Sequence, residues 1–133
     1  TLNCFGTSVI AALTAQNTLG VQAVWEIPPE FISAQIDSVF SDIGTDAVKL
    51  GMLHNPEVIE RVARKLRHYR APHIVLDPVM VAKGGHTLLK GEAVEALKLN
   101  LFPLATVATP NLPEAERLLG RSIKGEHSLE EAA

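Results

Sequence analysis

Apolar positions along the chain fall into two spacings: short runs rich in Val and Ile, and longer stretches where they recur every three or four residues. The first spacing suits a buried strand, the second one face of a helix. Ala47-Val48-Lys49-Leu50-Gly51-Met52 predicts a strand. After it, Asn55 offers an N-cap, Pro56 a first helical position and Glu57 an acidic first turn. That helix is predicted to reach Tyr69, with Val58, Val62, Leu66 and Tyr69 on its inner face. Glu57 with Arg61, and Glu60 with Arg64, make i,i+4 pairs on the wet side. His73-Ile74-Val75-Leu76-Asp77 predicts a second strand, broken by Pro78. Gly84-Gly85 marks a loop, and Glu92 to Phe102 reads as a helix with Val94, Leu97 and Leu101 facing inward. Thr106 to Thr109 is a third, short strand, followed by a helix from about Leu112 to Leu119 with Gly120 at its C-cap.

Upstream, the run Val9 to Ala15 fits strand or helix on periodicity alone. Gly6 before it and the turn Asn17-Thr18-Leu19-Gly20 after it favour a strand. Pro28-Pro29 then opens a helix in which Ile32, Ile36, Val39 and Phe40 share a face. Strand and helix alternate from end to end without a long linker or an internal repeat, which predicts an α/β fold, one partial domain over residues 1–133. Its sheet is expected to be mostly parallel, with helices on both faces. Both ends read as cuts in a longer chain, since Ser128 with Glu131 is a capping box whose helix has no room to continue.

Composition narrows the chemistry. Apolar residues make up 47% and charged residues 20%, with a net charge of -3 and no basic run, so nucleic-acid and membrane-surface partners are not expected. No apolar stretch approaches the ~20 residues needed to span a bilayer. A single cysteine, Cys4, leaves no intramolecular disulfide or cysteine zinc cluster and suits a reducing cytoplasm.

In a parallel sheet, ligands bind beyond the carboxyl ends of the strands. Four places there carry polar or unusual residues: Gln16-Asn17, Gly51-Met52, Asp77-Pro78-Val79-Met80 and Thr109-Pro110-Asn111. Gln16 offers a donor and an acceptor that match the N–C–N edge of an aminopyrimidine, and equally suits a surface turn. Gly51 allows close approach to the backbone and Met52 packs well on a ring, although both also suit a core. Asp77 could hold a metal or water near phosphates, or form an Asx turn. Asn111 with Glu114 could organise magnesium beside a triphosphate, yet Asn at an N-cap with Glu three residues on is itself a capping box. The two uses are compatible, because a helix N-terminus favours anions. Lys83-Gly84-Gly85 lacks the pattern of a P-loop, no dinucleotide fingerprint is present, and the five histidines have no metal-ligand spacing.

Several segments resemble the hydroxymethylpyrimidine and phosphomethylpyrimidine kinases of the ribokinase-like superfamily. They are Thr7 to Thr18 (TSVIAALTAQNT), Phe31 to Ile43 (FISAQIDSVFSDI), Val48 to Leu53 (VKLGML), Val75 to Met80 (VLDPVM) running on through Ala82-Lys83, and Thr109 to Ala115 (TPNLPEA). The resemblance is collinear over nearly the whole chain. It implies a three-layer α/β/α fold, incomplete here, and a kinase that uses ATP and Mg2+. The implied substrate is 4-amino-5-hydroxymethyl-2-methylpyrimidine and its monophosphate, in thiamine biosynthesis.

By the same resemblance, Gln16 would hydrogen-bond the pyrimidine, with Met52 and Val79 lining the ring. Asp77 would lie near the phosphate channel, and Asn111 and Glu114 match an Asn-x-x-Glu motif that supports magnesium through water. Thr14 stands where the family often has valine. Members are often homodimers, which becomes the expectation here. The rivals are a pyridoxine or pyridoxal kinase of the same fold and a non-catalytic α/β binding module. The family's Gly-rich N-terminal segment and its C-terminal Gly-Thr-Gly-Asp or Gly-Thr-Gly-Cys loop, which activates the substrate hydroxyl, are not in the sequence, so no catalytic residue is assigned. The 133-residue segment alone is therefore expected to lack kinase activity; measurable turnover by purified 1–133 would overturn this.

Overall fold

A computed structural model describes residues 3–80 and 91–123. The Lys83-Gly84-Gly85 stretch and the Ser128–Glu131 capping pattern lie outside the described residues.

The chain opens with a hairpin of β1 (Ala12–Asn17) and β2 (Gly20–Glu26), continues through α1 (Pro29–Ser38), β3 (Val48–Leu50), α2 (Pro56–His68) and β4 (Ile74–Leu76), and closes with α3 (Gly91–Asn100), β5 (Val107–Ala108) and α4 (Leu112–Leu119). β3, β4 and β5 form a parallel sheet in that order, and the crossovers between them pass through α2 and α3. From β3 onward this is the alternation read from the sequence, with α4 as expected and the other boundaries moved by one or two residues.

Local chemistry accounts for the helices. Asn55 caps α2 by accepting the Val58 N–H at 2.8 Å, ahead of Pro56 at the first position. Arg61 reaches Glu57 at 3.2 Å, the expected i,i+4 pair. Gly120 closes α4 at φ 67°, a left-handed conformation in which a side chain is strained. A wider helical turn, Val39–Ile43, continues α1 and ends at Gly44.

Alternation along the strands decides what the sheet buries. Leu50, Ile74 and Leu76 point into one core with Ile32 and Ile36 of α1, Val58, Val62 and Leu66 of α2, and Val94 and Leu97 of α3. These helices lie side by side, α1 against α2 and α2 against α3. On the other face Lys49 and Val107 are exposed and Val75 is half-buried.

The first strand departs from expectation. Pairing begins at Ala12 rather than Val9, and β1 joins an antiparallel two-stranded sheet instead of the parallel one. Its partner β2 was not read from the sequence, because most of its residues are exposed on both faces and no period of two marks it. The segment before β1 is held otherwise: the Gln35 amide of α1 accepts from the Ile10 N–H at 2.9 Å and donates to its carbonyl at 3.0 Å.

Between α1 and α2 sits a polar clamp. Lys65 Nζ lies 2.7 and 2.6 Å from the two Asp37 oxygens, and the Tyr69 hydroxyl donates to Asp37 at 2.8 Å. Tyr69 stacks on Phe40 at 4.9 Å and takes the His68 ring edge-on. The hydrogen bonds from Lys65 and then Tyr69 hold the Asp37 carboxyl below its ordinary 3.8, against a smaller opposing effect of burial. The bond to Asp37, then burial, raises the Tyr69 phenol above its ordinary 10.0.

A lowered carboxyl adds stability that is present above its ordinary value and lost as pH falls through the folded one. A raised phenol adds stability that is present below its ordinary value and lost as pH rises through the folded one. The clamp is therefore complete between about pH 3.8 and 10.0. Asp37→Asn should lower the urea midpoint at neutral pH, and its gap from the parent protein should shrink as pH falls below 3.8. A gap independent of pH would contradict this.

Candidate active site

Parallel register brings the three strand ends level. Leu50 pairs with Leu76, and Leu76 with Ala108. The ladder runs one step further, as the Asp77 N–H donates to the Leu50 carbonyl and the Thr109 N–H to the Leu76 carbonyl, both at 2.9 Å. Gly51, Asp77 and Thr109 therefore stand in a row at the carboxyl edge, where an open α/β sheet presents its ligand site.

The loop after β4 is pinned from below. Pro78 and Met80 are fully buried, while Asp77 and Val79, on either side of Pro78, are half-buried. The two residues nominated from the sequence are thus the ones turned away from the core. The Val79 N–H donates to the Asp77 carbonyl at 2.8 Å, a tight three-residue turn. Lys49 Nζ lies 2.7 Å from Asp77 Oδ2. Lys49 had not been singled out in the sequence; its position between Val48 and Leu50, on the strand's other face, is the signal that marks it.

Asn111 and Glu114 form the predicted capping box. Asn111 Oδ1 accepts the Glu114 N–H at 3.0 Å, and Glu114 Oε2 accepts the Asn111 N–H at 2.9 Å. Glu114 is only 5% exposed, which a carboxylate tolerates when it is hydrogen-bonded and beside a helix N-terminus. Its other oxygen accepts the Met80 N–H at 3.3 Å. Glu114 therefore joins the start of α4 to the loop carrying Asp77 and Val79, and the structure brings these four candidates together.

Gly51 and Met52 complete the row from β3. A Cβ built on Gly51 meets nothing within 4 Å, so the space beside this backbone is open. Met52 lines a cavity of about 430 Å3 between β3 and the extended segment 7–12, with Val9, Ile32, Ile36 and Leu50. Gln16 does not line it. It lies exposed on β1 opposite Val21, next to a shift of register between Ala15 and Gln16. Among the described residues no group of three His, Cys, Asp or Glu is placed to hold a metal.

A family model described as phosphomethylpyrimidine kinase matches residues 1–133. The chain belongs to the phosphomethylpyrimidine kinase family. It is 54% identical over 132 residues to the thiamine biosynthesis bifunctional protein ThiED of Geobacter sulfurreducens, covering 99% of this chain and 27% of that protein. Against the hydroxymethylpyrimidine/phosphomethylpyrimidine kinase of Bacillus subtilis it is 48% identical, over 99% of this chain and 49% of the relative. The crystal structure of phosphomethylpyrimidine kinase from Clostridium difficile superposes with a TM-score of 0.91 at 44% identity, over 98% of this chain and 57% of that one. A pyridoxal kinase from Staphylococcus aureus in complex with pyridoxal superposes at 0.84 with 33% identity, over 97% of this chain and 46% of that one. The chain thus spans about half the length or less of the curated relatives named here. The fold is ribokinase-like α/β, and the described residues of this family member supply three parallel strands and a layer of helices. No helix among them is long and apolar enough to cross a membrane.

The capping box has a measurable stability consequence. Asn111→Ala should cost about 1 kcal/mol, since the Glu114 N–H loses its side-chain acceptor at the start of α4. Chemical denaturation of the full-length gene product would measure it, and an unchanged midpoint would refute the capping role.

Proposed function

We propose that the full-length protein transfers a phosphoryl group from ATP to the hydroxymethyl group of hydroxymethylpyrimidine, and then to the resulting monophosphate, in thiamine biosynthesis. The observation that carries this reading is the gathering of Asp77, Val79, Asn111 and Glu114 at the carboxyl edge of the parallel sheet, in a chain matched throughout by the family. ATP as donor is supported by the related pyridoxal kinase from Staphylococcus aureus, whose structure is in complex with AMP-PCP.

In this reading Gln16 hydrogen-bonds the aminopyrimidine, and Met52 and Val79 form the apolar wall of the ring. Asp77 faces the phosphate path, its charge balanced by Lys49. Phosphoryl transfer needs positioning and charge neutralisation more than covalent chemistry from the protein. The donor set fits Mg2+ at one remove. Asn111 and Glu114 present hard oxygens, each already accepting one N–H and keeping a second lone pair. Glu114 is buried, so contact through water suits it better than direct ligation. When bound, the metal would neutralise charge on the phosphates.

The structural likeness to pyridoxal kinase favours a second reading, phosphorylation of pyridoxal on the same scaffold. Turnover on hydroxymethylpyrimidine compared with pyridoxal decides between them, and preference for pyridoxal would overturn the first. Gln16→Ala should raise KM for the pyrimidine about tenfold, the worth of one neutral hydrogen bond at the upper end of its range, with KM for ATP unchanged. An equal rise in both constants would remove Gln16 from the ring site.

A further inference from the structure

The hairpin that carries Gln16 needs an anchor. A two-stranded sheet is marginal by itself, and most residues of β1 and β2 are exposed. Glu26, the last residue of β2, pairs with Ala12 at the base of the hairpin. Its carboxylate reaches two consecutive residues of the loop between β3 and α2. Oε1 lies 3.3 Å from His54 Nε2, and Oε2 accepts from the Asn55 amide at 3.4 Å.

Both residues are themselves fixed. Asn55 is the N-cap of α2, and the His54 side chain is only 7% exposed. Asn55 Nδ2 also lies 3.2 Å from His54 Nε2. That nitrogen thus sits between a carboxylate, which only accepts, and an amide nitrogen, which only donates. With its proton on Nε2 the ring donates to Glu26. His54 Nδ1 is buried without a hydrogen-bond partner among the described residues. A buried nitrogen left without a partner is destabilising, so the ring is not explained by packing alone.

His54 follows Met52 by two residues, and Glu26 closes the hairpin that holds Gln16. The structure joins the two elements that carry the ring-site candidates through one carboxylate. We propose that His54 is a positioning residue which, through Glu26, sets the hairpin bearing Gln16 against the loop bearing Met52 and so fixes where Gln16 stands relative to Met52. The proposal rests on the assignment of Gln16 and Met52 to the ring site in the preceding reading.

Steady-state kinetics on the full-length gene product test it with Glu26→Gln, His54→Leu, His54→Gln and the double variant Glu26→Gln/His54→Leu. Glu26→Gln and His54→Leu should each raise KM for hydroxymethylpyrimidine about tenfold, with kcat and KM for ATP within about twofold, the loss of one hydrogen bond falling on pyrimidine binding alone. His54→Gln, whose amide can donate where Nε2 does, should recover most of that loss. The double variant should be no worse than His54→Leu, because both remove one link.

Hydrogen exchange at the β1 and β2 amides should quicken in Glu26→Gln, a change at an exposed carboxylate that leaves the core untouched. Unchanged KM in both single variants, or equal losses in both KM values, would overturn the proposal while leaving the kinase reading intact. If the unaltered protein fails to phosphorylate the pyrimidine, the kinase reading falls and this proposal falls with it.

Discussion

The parallel pairing of Leu50 with Leu76 and of Leu76 with Ala108 is the constraint on which the rest of the structure depends. Side chains in a strand alternate between faces, so one register puts Leu50, Ile74 and Leu76 together under α1, α2 and α3. A slip of one residue would turn Lys49 and Val75 into the core and Leu50 and Leu76 out of it. The same register levels the strand ends and sets Gly51, Asp77 and Thr109 in a row. Core burial and site geometry therefore have one cause.

The carboxylates at this edge are held in two ways. Asp77 has a lysine 2.7 Å away, reaching across from the neighbouring strand. Glu114 is stabilised by backbone N–H groups from two segments and by the helix it begins. These arrangements leave different things free. Asp77 remains half-exposed and could meet a ligand, whereas Glu114 is committed to joining α4 to the Asp77 loop.

Local spacing makes part of this edge legible in the sequence. Asn111 and Glu114 stand three apart because a capping box requires it, and that requirement also gathers oxygens at a helix N-terminus. Asp77 and Val79 flank Pro78 in the pattern that leaves them on the outside of the loop. Nothing local announces the partner of Lys49: Asp77 is 28 residues away, and only parallel pairing brings the two together. The same holds for Glu26 and His54, whose meeting depends on the path between hairpin and sheet.

By itself, the sequence determined the alternation of strands and helices, the caps of α2 and α4, and the inward faces of the helices. Each depends on residues within a few positions of one another. Tertiary structure decided that β1 leaves the parallel sheet for an antiparallel hairpin, and that Lys49 finds Asp77. It also decided that Glu114 ties two loops together and that His54 is buried against Glu26. Those outcomes depend on which distant backbones come to lie side by side, and hydrophobic periodicity carries no record of that.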